Sequence, residues 1–243
     1  MRALFIFFAV ALVSFGAEPP LPTINLAINS PQNASQLVTS LNVLIVLTIL
    51  TLAPGLIFMM TCFLRLIVVF SFLRQAMGTQ QMPPSTVLLS IAMVLTFFIM
   101  EPVAKQSYDQ GIRPYLAEQI GYEQAFEQGI KPFKDFMVRN TREKDLALFY
   151  RIRGLDNPAS IDDLSLSIVM SAFMISELKT AFEIAFLLYL PFLVIDMVVS
   201  SVLMAMGMMM LPPVTISLPF KLLIFVLVDG WNLLIENLVK SFH

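Results

Sequence analysis

Charged side chains inside apolar stretches are the groups of this sequence that are placed to do chemistry. Glu177 lies on an otherwise apolar face at helical spacing, and Lys221 stands isolated among Phe220, Leu222 and Leu223. Ionised groups in apolar surroundings are costly unless they pair or face water. We therefore expect Glu177 and Lys221 to form a buried ion pair, within one subunit or across a subunit boundary. The alternative is that the Lys221 side chain extends along its stem to reach water.

Three further charged residues are candidates for structural roles. Asp196 follows Pro191, and it either forms an ion pair inside the bundle or caps a kink. Arg65 and Arg74 flank the first apolar stretch, where basic residues commonly set membrane orientation. Contact with another subunit is the alternative for both arginines. Lys179 and Glu183 are four residues apart, which predicts an ordinary pair along one helix.

Cysteine and histidine are each present once, as Cys62 and His243. This excludes disulfide frameworks, His/Cys metal sites and Cys–His or Ser–His catalysis within the chain. We therefore predict no metal, no cofactor and no enzymatic activity. Cys62 is interpreted as a small buried apolar residue.

The composition is that of a membrane-associated protein. Hydrophobic residues make up 58% and charged residues 13% of the chain, and the mean hydropathy is +0.81. Soluble domains have about 45–50% apolar and about 25% charged residues. The formal net charge of -2 argues against a nucleic-acid partner, which requires a basic surface.

The N-terminus has the pattern of a secretory signal peptide over residues 1–16. Arg2 precedes a short apolar run that ends at the small residues Ser14 and Gly16. The run is too short for a membrane-spanning helix, which needs about 20 residues. We predict cleavage before Ala17 and an extended extracytoplasmic segment over 17–36, which is rich in proline.

The rest of the chain predicts an all-α protein of punctuated, kinked helical hairpins. The first apolar hairpin covers 37–104 and the second covers 165–243. Between them, 105–164 holds nine of the 15 Lys and Arg and 10 of the 17 Asp and Glu, which indicates a charged helical module. Ser160–Asp163 matches a capping box and predicts a long helix that ends at Leu190, before Pro191.

Residues 207–213, Gly-Met-Met-Met-Leu-Pro-Pro, interrupt the second hairpin. Three consecutive side chains on a helix point in three directions and cannot share one face. Gly207, Pro212 and Pro213 are helix breakers, so the pattern predicts a loop or broken helix that lines a cavity. The alternative is that the three methionines, at 208–210, fill gaps in a core, for which their flexible side chains are also suited.

Two sets of motifs with fixed spacing occur along the chain. The first set lies before the charged module and the second after it, and together they extend over most of 41–231. They read Met60-Thr-Cys-Phe-Leu-Arg65, Leu73-Arg74-Gln75-Ala76-Met77-Gly78 and Gln80-Gln81-Met82-Pro83-Pro84, followed by Ser176-Glu177-Leu178-Lys179, Ala181-Phe182, Pro191-Phe192-Leu193-Val194-Ile195-Asp196, Gly207-Met208, Pro212-Pro213, Ser217-Leu218-Pro219-Phe220-Lys221 and Asp229-Gly230-Trp231.

These motifs resemble those of the FliP family of flagellar type III export-gate proteins. The resemblance implies a non-enzymatic subunit of a ring-like hetero-oligomer in the bacterial inner membrane at the flagellar basal body. About five copies would join one related and several small subunits, with much of the chain on the extracytoplasmic side. Unfolded flagellar proteins would pass through the pore of this ring. The signal peptide favours the flagellar branch over the virulence-secretion branch of the family. The three methionines of each copy would form stacked apolar rings that seal the pore around a moving chain.

A different class of function is a secondary transporter or proton-conducting channel. The carboxylates in or near apolar stretches favour it, because such groups often relay ions; they are Glu177, Glu183, Asp196 and Asp229. Many transporters also contain a repeat between the two halves of the chain. The sequence has no such repeat, which argues against this class.

Overall fold

A computed structural model of the chain describes residues 34–79, 82–155, 164–208 and 210–242, and all of its regular structure is helical. The all-α prediction is confirmed for these residues, which contain no strand. The helices are α1 Ala34–Met59, α2 Phe63–Met77, α3 Ser85–Ser107, α4 Arg113–Leu116, α5 Tyr122–Arg139, α6 Glu143–Arg153, α7 Leu166–Ala205, α8 Pro213–Leu227 and α9 Gly230–Lys240. A short π-helix, Tyr108–Ile112, joins α3 to α4.

The chain divides into two units, 1–50 and 51–243. In the first unit, the described residues form the beginning of α1. The second unit contains the end of α1 and all later helices. The predicted signal peptide at 1–16, most of the extended segment at 17–36 and the capping box Ser160–Asp163 lie outside the described residues.

The core of the second unit is built on α2 and α7, which form the most extensive helix–helix contact among the described residues. The buried residues of α2 recur every three or four positions and so form one stripe; they include Leu66, Val69, Phe70, Leu73, Ala76 and Met77. The stripe shares one hydrophobic cluster with buried residues of α7 that follow Glu177, among them Ala181 and Phe192. This pairing brings the start of α2 beside Glu177.

A proline does not end α7 as the sequence predicts. The helix runs from Leu166 to Ala205 and passes through Pro191 without a break. Proline lacks the N–H that would bond to the carbonyl four residues earlier. Helices in membranes tolerate this loss because neighbouring groups and local adjustment satisfy the freed carbonyl. The prediction that the helix ends at Leu190 is wrong for this reason.

The helices that follow α3 pack unusually closely. Ser107 donates a hydrogen bond from its hydroxyl to the Gly129 carbonyl at 2.6 Å. A Cβ atom on Gly111 would lie 2.7 Å from both the Ala125 carbonyl oxygen and the Gly129 Cα. Glycine is therefore required where the π-helix crosses α5. The π-helix ends at Ile112, two residues before Pro114. The Arg113 N–H, directly after it, donates to the Tyr108 carbonyl.

Among the described residues, three helical segments are long and apolar enough to cross a membrane: Ser40–Met59, Ser85–Leu116 and Leu166–Ala205. The number rises to four if α8 and α9, which are bent by 63° relative to each other, are counted together as one broken span. At this elbow Asp229 has a left-handed backbone with φ 52°. A Cβ on Gly230 would lie only 2.3 Å from the Phe225 ring, so the elbow requires glycine.

Candidate functional site

Arg65 and Glu177 form the most deeply buried ion pair among the described residues. Arg65, near the start of α2, is 3% exposed, and Glu177, on α7, is fully buried. Arg65 donates from Nε to Glu177 Oε2 at 2.9 Å and from Nη2 to Oε1. The planar guanidinium thus binds both carboxylate oxygens, a geometry that lysine cannot reproduce.

The C-terminal end of α9 completes the environment of Arg65. Arg65 Nη1 donates to the Ser241 carbonyl at 3.0 Å and to the Ser241 hydroxyl at 2.8 Å. The guanidinium carbon lies 3.7 Å from the centre of the Phe242 ring, within the range of a cation–π interaction. One arginine therefore ties together α2, α7 and the end of α9.

Lys221 forms a second ion pair, with Asp196. Lys221 on α8 is 2% exposed, and its Nζ donates to Asp196 Oδ2 at 2.6 Å and to the Ala76 carbonyl at 3.1 Å. The Ser217 hydroxyl donates to the other oxygen of Asp196. The Asp196 side chain is 28% exposed, so this pair is wetter than the first. It joins the end of α2 to the C-terminal half of α7 and the middle of α8.

The predicted pair between Glu177 and Lys221 is wrong within this chain. Both side chains are buried, but each neutralises its charge with a different partner. Arg65 acts as the ion-pair partner of a buried carboxylate, so neither of the two roles considered for it describes its contacts in the chain. Of the two roles considered for Asp196, the structure supports pairing. Spacing along one segment does not reveal which distant charge meets which.

Arg74 and the pair Lys179–Glu183 lie at the edges of this core. Arg74 Nη1 donates to the Ser85 hydroxyl at 2.8 Å, which joins the end of α2 to the start of α3. Lys179 Nζ lies 3.6 Å from Glu183 Oε1, and both side chains are largely exposed. The ordinary helical pair predicted for them is confirmed.

A third polar cluster was not predicted from the sequence. Arg142, just before α6, donates from Nε to Asp145 Oδ2 at 2.9 Å, and the Ser176 hydroxyl donates to the same oxygen at 2.6 Å. The backbone N–H of Arg142 donates to Ser176 Oγ at 3.0 Å. The sequence feature that could have indicated this cluster is the position of Ser176 directly before Glu177 in the second set of motifs. The cluster fastens the charged module to α7.

Asp145 and Cys62 lie outside the candidate membrane-spanning helices and have shifted pKa values. Burial opposes ionisation of Asp145, but the Ser176 hydroxyl and the Arg142 charge outweigh it and lower the pKa of this carboxyl. Burial raises the pKa of the Cys62 thiol to about 12, and Cys62 is fully buried. The thiol is therefore neutral and unreactive near neutral pH.

The methionine loop is irregular and exposed. Helix α7 ends at Ala205, Gly207 has a left-handed backbone with φ 76°, and α8 begins at Pro213 after Pro212. Met208 is 46% and Met210 98% exposed, whereas Met209 lies outside the described residues. The break predicted at this position is present. Met208 and Met210 do not fill gaps in the core of the described chain.

The described residues define a class: a helical protein with helices long and apolar enough to span a membrane, two ion pairs that join its helices and an exposed methionine loop between apolar helices. Within the part of the chain that the structure describes, no group of three or more His, Cys, Asp or Glu side chains is arranged to hold a metal ion.

The chain belongs to the FliP family, whose model matches residues 46–238. It is 49% identical over 214 residues to the flagellar biosynthetic protein FliP of Bacillus subtilis, covering 88% of this chain and 96% of that protein. It is 53% identical over 197 residues to FliP of Caulobacter vibrioides, covering 81% of this chain and 74% of that protein. The resemblance inferred from the motifs is confirmed.

Proposed function

We propose that this chain is a core subunit of the flagellar type III protein export gate in the bacterial inner membrane. The observation that carries this proposal is the identity of about half of the residues to flagellar biosynthetic proteins FliP over most of the chain. The three apolar helices of membrane-spanning length are consistent with this location. About five copies would assemble with one related and several small subunits around a pore for unfolded flagellar proteins.

The buried ion pairs support a structural rather than a catalytic role for the charged residues. Glu177 and Lys221 bind partners on other helices of the same chain. Arg65 and Glu177 are 112 residues apart in the sequence, whereas Asp196 and Lys221 lie on consecutive helices. In either pair, truncating one partner leaves the other charge without its counter-ion. The charges therefore hold the helices in a defined arrangement. No catalytic step is assigned to them.

The exposed methionine loop supports the proposal that 207–213 lines the pore. Met210 presents nearly its whole side chain outside the fold. Gly207, Pro212 and Pro213 free the backbone from the helix, and such irregular backbone at membrane depth is tolerated where it lines a cavity. Repeated around an axis, Met208, Met209 and Met210 would form flexible apolar rings. Apolar constrictions close pores by dewetting, and methionine adapts to varied surfaces.

The structure gives less support to the alternative of a transporter or proton channel. A proton relay requires carboxylates that are free to exchange protons with water or with each other. Arg65 binds both oxygens of Glu177, and Lys221 and Ser217 bind those of Asp196. Both groups are therefore engaged as fixed partners of ion pairs.

The test of the export function is deletion of the gene in the bacterium that carries it. We expect the deletion strain to be non-motile and to release no hook protein or flagellin into the medium, and expression of the chain from a plasmid should restore both. Normal secretion of flagellin in the deletion strain would refute the proposal. Mass measurement of the detergent-extracted complex tests the assembly separately, because an active monomer would contradict the ring.

A further inference from the structure

Arg74 carries a positive charge that no carboxylate neutralises among the described residues. Its guanidinium donates from Nη1 to the Ser85 hydroxyl at 2.8 Å and to the Pro83 carbonyl at 3.5 Å. Nε and Nη2 have no partner in the described parts of the chain, and none of the ion pairs found there includes Arg74. Two N–H groups of one guanidinium form the fork that binds phosphate oxygens in bidentate fashion.

A cavity of about 430 Å³ opens beside this arginine at the end of α2. Arg74, Gln75 and Thr79 line it, together with Ser71 and Val214. Residues with hydroxyl, amide and guanidinium groups therefore form one part of the lining, and the apolar side chains of Phe72 and Val214 form another. Its volume lies within the range of about 300–1,000 Å³ that is typical of sites for small ligands. The charge and donors of this cavity suit an anion.

A second cavity of about 400 Å³ shares Phe72 with the first. Apart from Tyr189, apolar residues of α2 and α7 line it, among them Phe182, Phe186 and Leu193. The Phe72 and Phe182 rings meet edge to face with centroids 5.4 Å apart. Phe186 is 65% exposed, so the cavity opens on the outer surface of the apolar helices. A free phosphate ion would leave this cavity empty.

We propose that the two cavities together bind one phosphoglycerolipid with a net negative headgroup. The phosphate binds Nε and Nη2 of Arg74, and one acyl chain lies in the apolar cavity between Phe72 and Leu193. The charge of Arg74 favours an anion over an apolar helix. The apolar cavity on the other side of Phe72 favours an anion with an apolar tail over a soluble anion. Binding would fix the position of the end of α2 at the lipid headgroup level.

The test measures phosphatidylglycerol binding to the full chain, purified in detergent with its co-purifying partners and stripped of lipid. Native mass spectrometry counts the bound lipid as phosphatidylglycerol or zwitterionic phosphatidylethanolamine is added. We expect phosphatidylglycerol to bind more tightly to the wild type. Arg74→Gln should weaken phosphatidylglycerol binding about fivefold, the effect of one cationic side chain near a lipid surface, and should remove the preference over phosphatidylethanolamine.

Three further variants separate lipid binding from structural effects. Ser85→Ala removes the hydrogen bond of Arg74 but keeps its charge, and Arg113→Gln removes an exposed arginine elsewhere; both should bind phosphatidylglycerol like the wild type. Leu193→Trp narrows the apolar cavity and should weaken the binding of both lipids. Equal binding of phosphatidylglycerol by the wild type and Arg74→Gln would overturn the proposal. If another subunit covers the groove and no lipid binds, the proposal is also overturned. Displacement of phosphatidylglycerol by inorganic phosphate, with no effect of Leu193→Trp, would assign the site to a soluble anion instead.

Discussion

Arg65 binds both carboxylate oxygens of Glu177 across 112 residues of sequence, in a site where the two side chains are 3% and 0% exposed. Because a buried charge without a partner is far more costly than an apolar pair, this contact makes the register of α2 on α7 specific. The same arginine also bonds to Ser241. Movement of any one of the three segments would break a charge-assisted hydrogen bond.

We expect Glu177→Ala to destabilise the protein by about 3–5 kcal/mol, because it strands the buried Arg65 charge. The amount of complex recovered from membranes and its thermal unfolding in detergent measure this loss. The double variant Arg65→Met/Glu177→Met should recover most of the stability, since apolar residues of similar volume replace buried ion pairs well. A double variant no more stable than Glu177→Ala would show that the charge itself is required.

The two halves of the Lys221–Asp196 pair should differ in their effects. Asp196→Ala leaves Lys221 without its carboxylate at 2% exposure and should cost about 3–5 kcal/mol. Lys221→Met leaves Asp196 28% exposed and still bonded to Ser217, so we expect a smaller loss of about 1–3 kcal/mol. Thermal unfolding of both variants tests the order. Equal losses of stability in the two variants would mean that Asp196 is no more exposed to water than Lys221 in the assembled protein.

Asp145 should make the protein sensitive to acid. Its folded-state pKa is lowered below the ordinary value of 3.8, so its contribution is present above pH 3.8 and is lost as the pH falls through the lower folded value. Asp145→Asn should be less stable than the wild type by about 1–3 kcal/mol at pH 7. Thermal unfolding from pH 7 to pH 3 should show this difference shrinking in acid. A difference that stays constant would contradict the assigned ionisation.

The charged module of 105–164 is proposed to lie outside the cytoplasm. Gln128 is exposed on α5, so Gln128→Cys should react with a membrane-impermeant maleimide added to intact spheroplasts. Cys62 serves as an internal control because burial keeps its thiol neutral and inaccessible. Reaction of Gln128→Cys only after the membrane is opened would place the module on the cytoplasmic side.

Replacing Met208, Met209 and Met210 together with alanine should leave assembly intact but let ions leak through the resting complex. Exposed side chains outside the core contribute little to folding, whereas shorter ones would widen an apolar constriction. Conductance of the purified complex in planar bilayers measures the leak, and Val226→Ala, which shortens an exposed apolar side chain on α8 outside the loop, is the control. If the triple variant assembles without added conductance, the proposed seal is wrong. If it fails to assemble, the methionines have a packing role.

Composition and local pattern were sufficient for the class of protein and for several of its elements. The high apolar content predicted membrane association. The helical spacing of apolar residues predicted the all-α fold. The break at 207–213 followed from residue types alone, because a glycine and two adjacent prolines within seven residues combine their local preferences against a continuous helix. The family followed from motifs with fixed spacing, which can be recognised without knowing the contacts that their residues make. These properties are local, so the sequence carries them directly.

Only the tertiary structure decided which charges meet. Glu177 and Lys221 were identified as isolated charges, but their partners Arg65 and Asp196 are set by how α2, α7 and α8 pack against one another. The same holds for Ser176, whose hydroxyl finds Asp145 on another helix. Helix α7 continues through Pro191 because packing and surroundings outweigh a local penalty. Long-range pairing and the balance of competing energies are properties of the folded chain, which spacing along one segment does not contain.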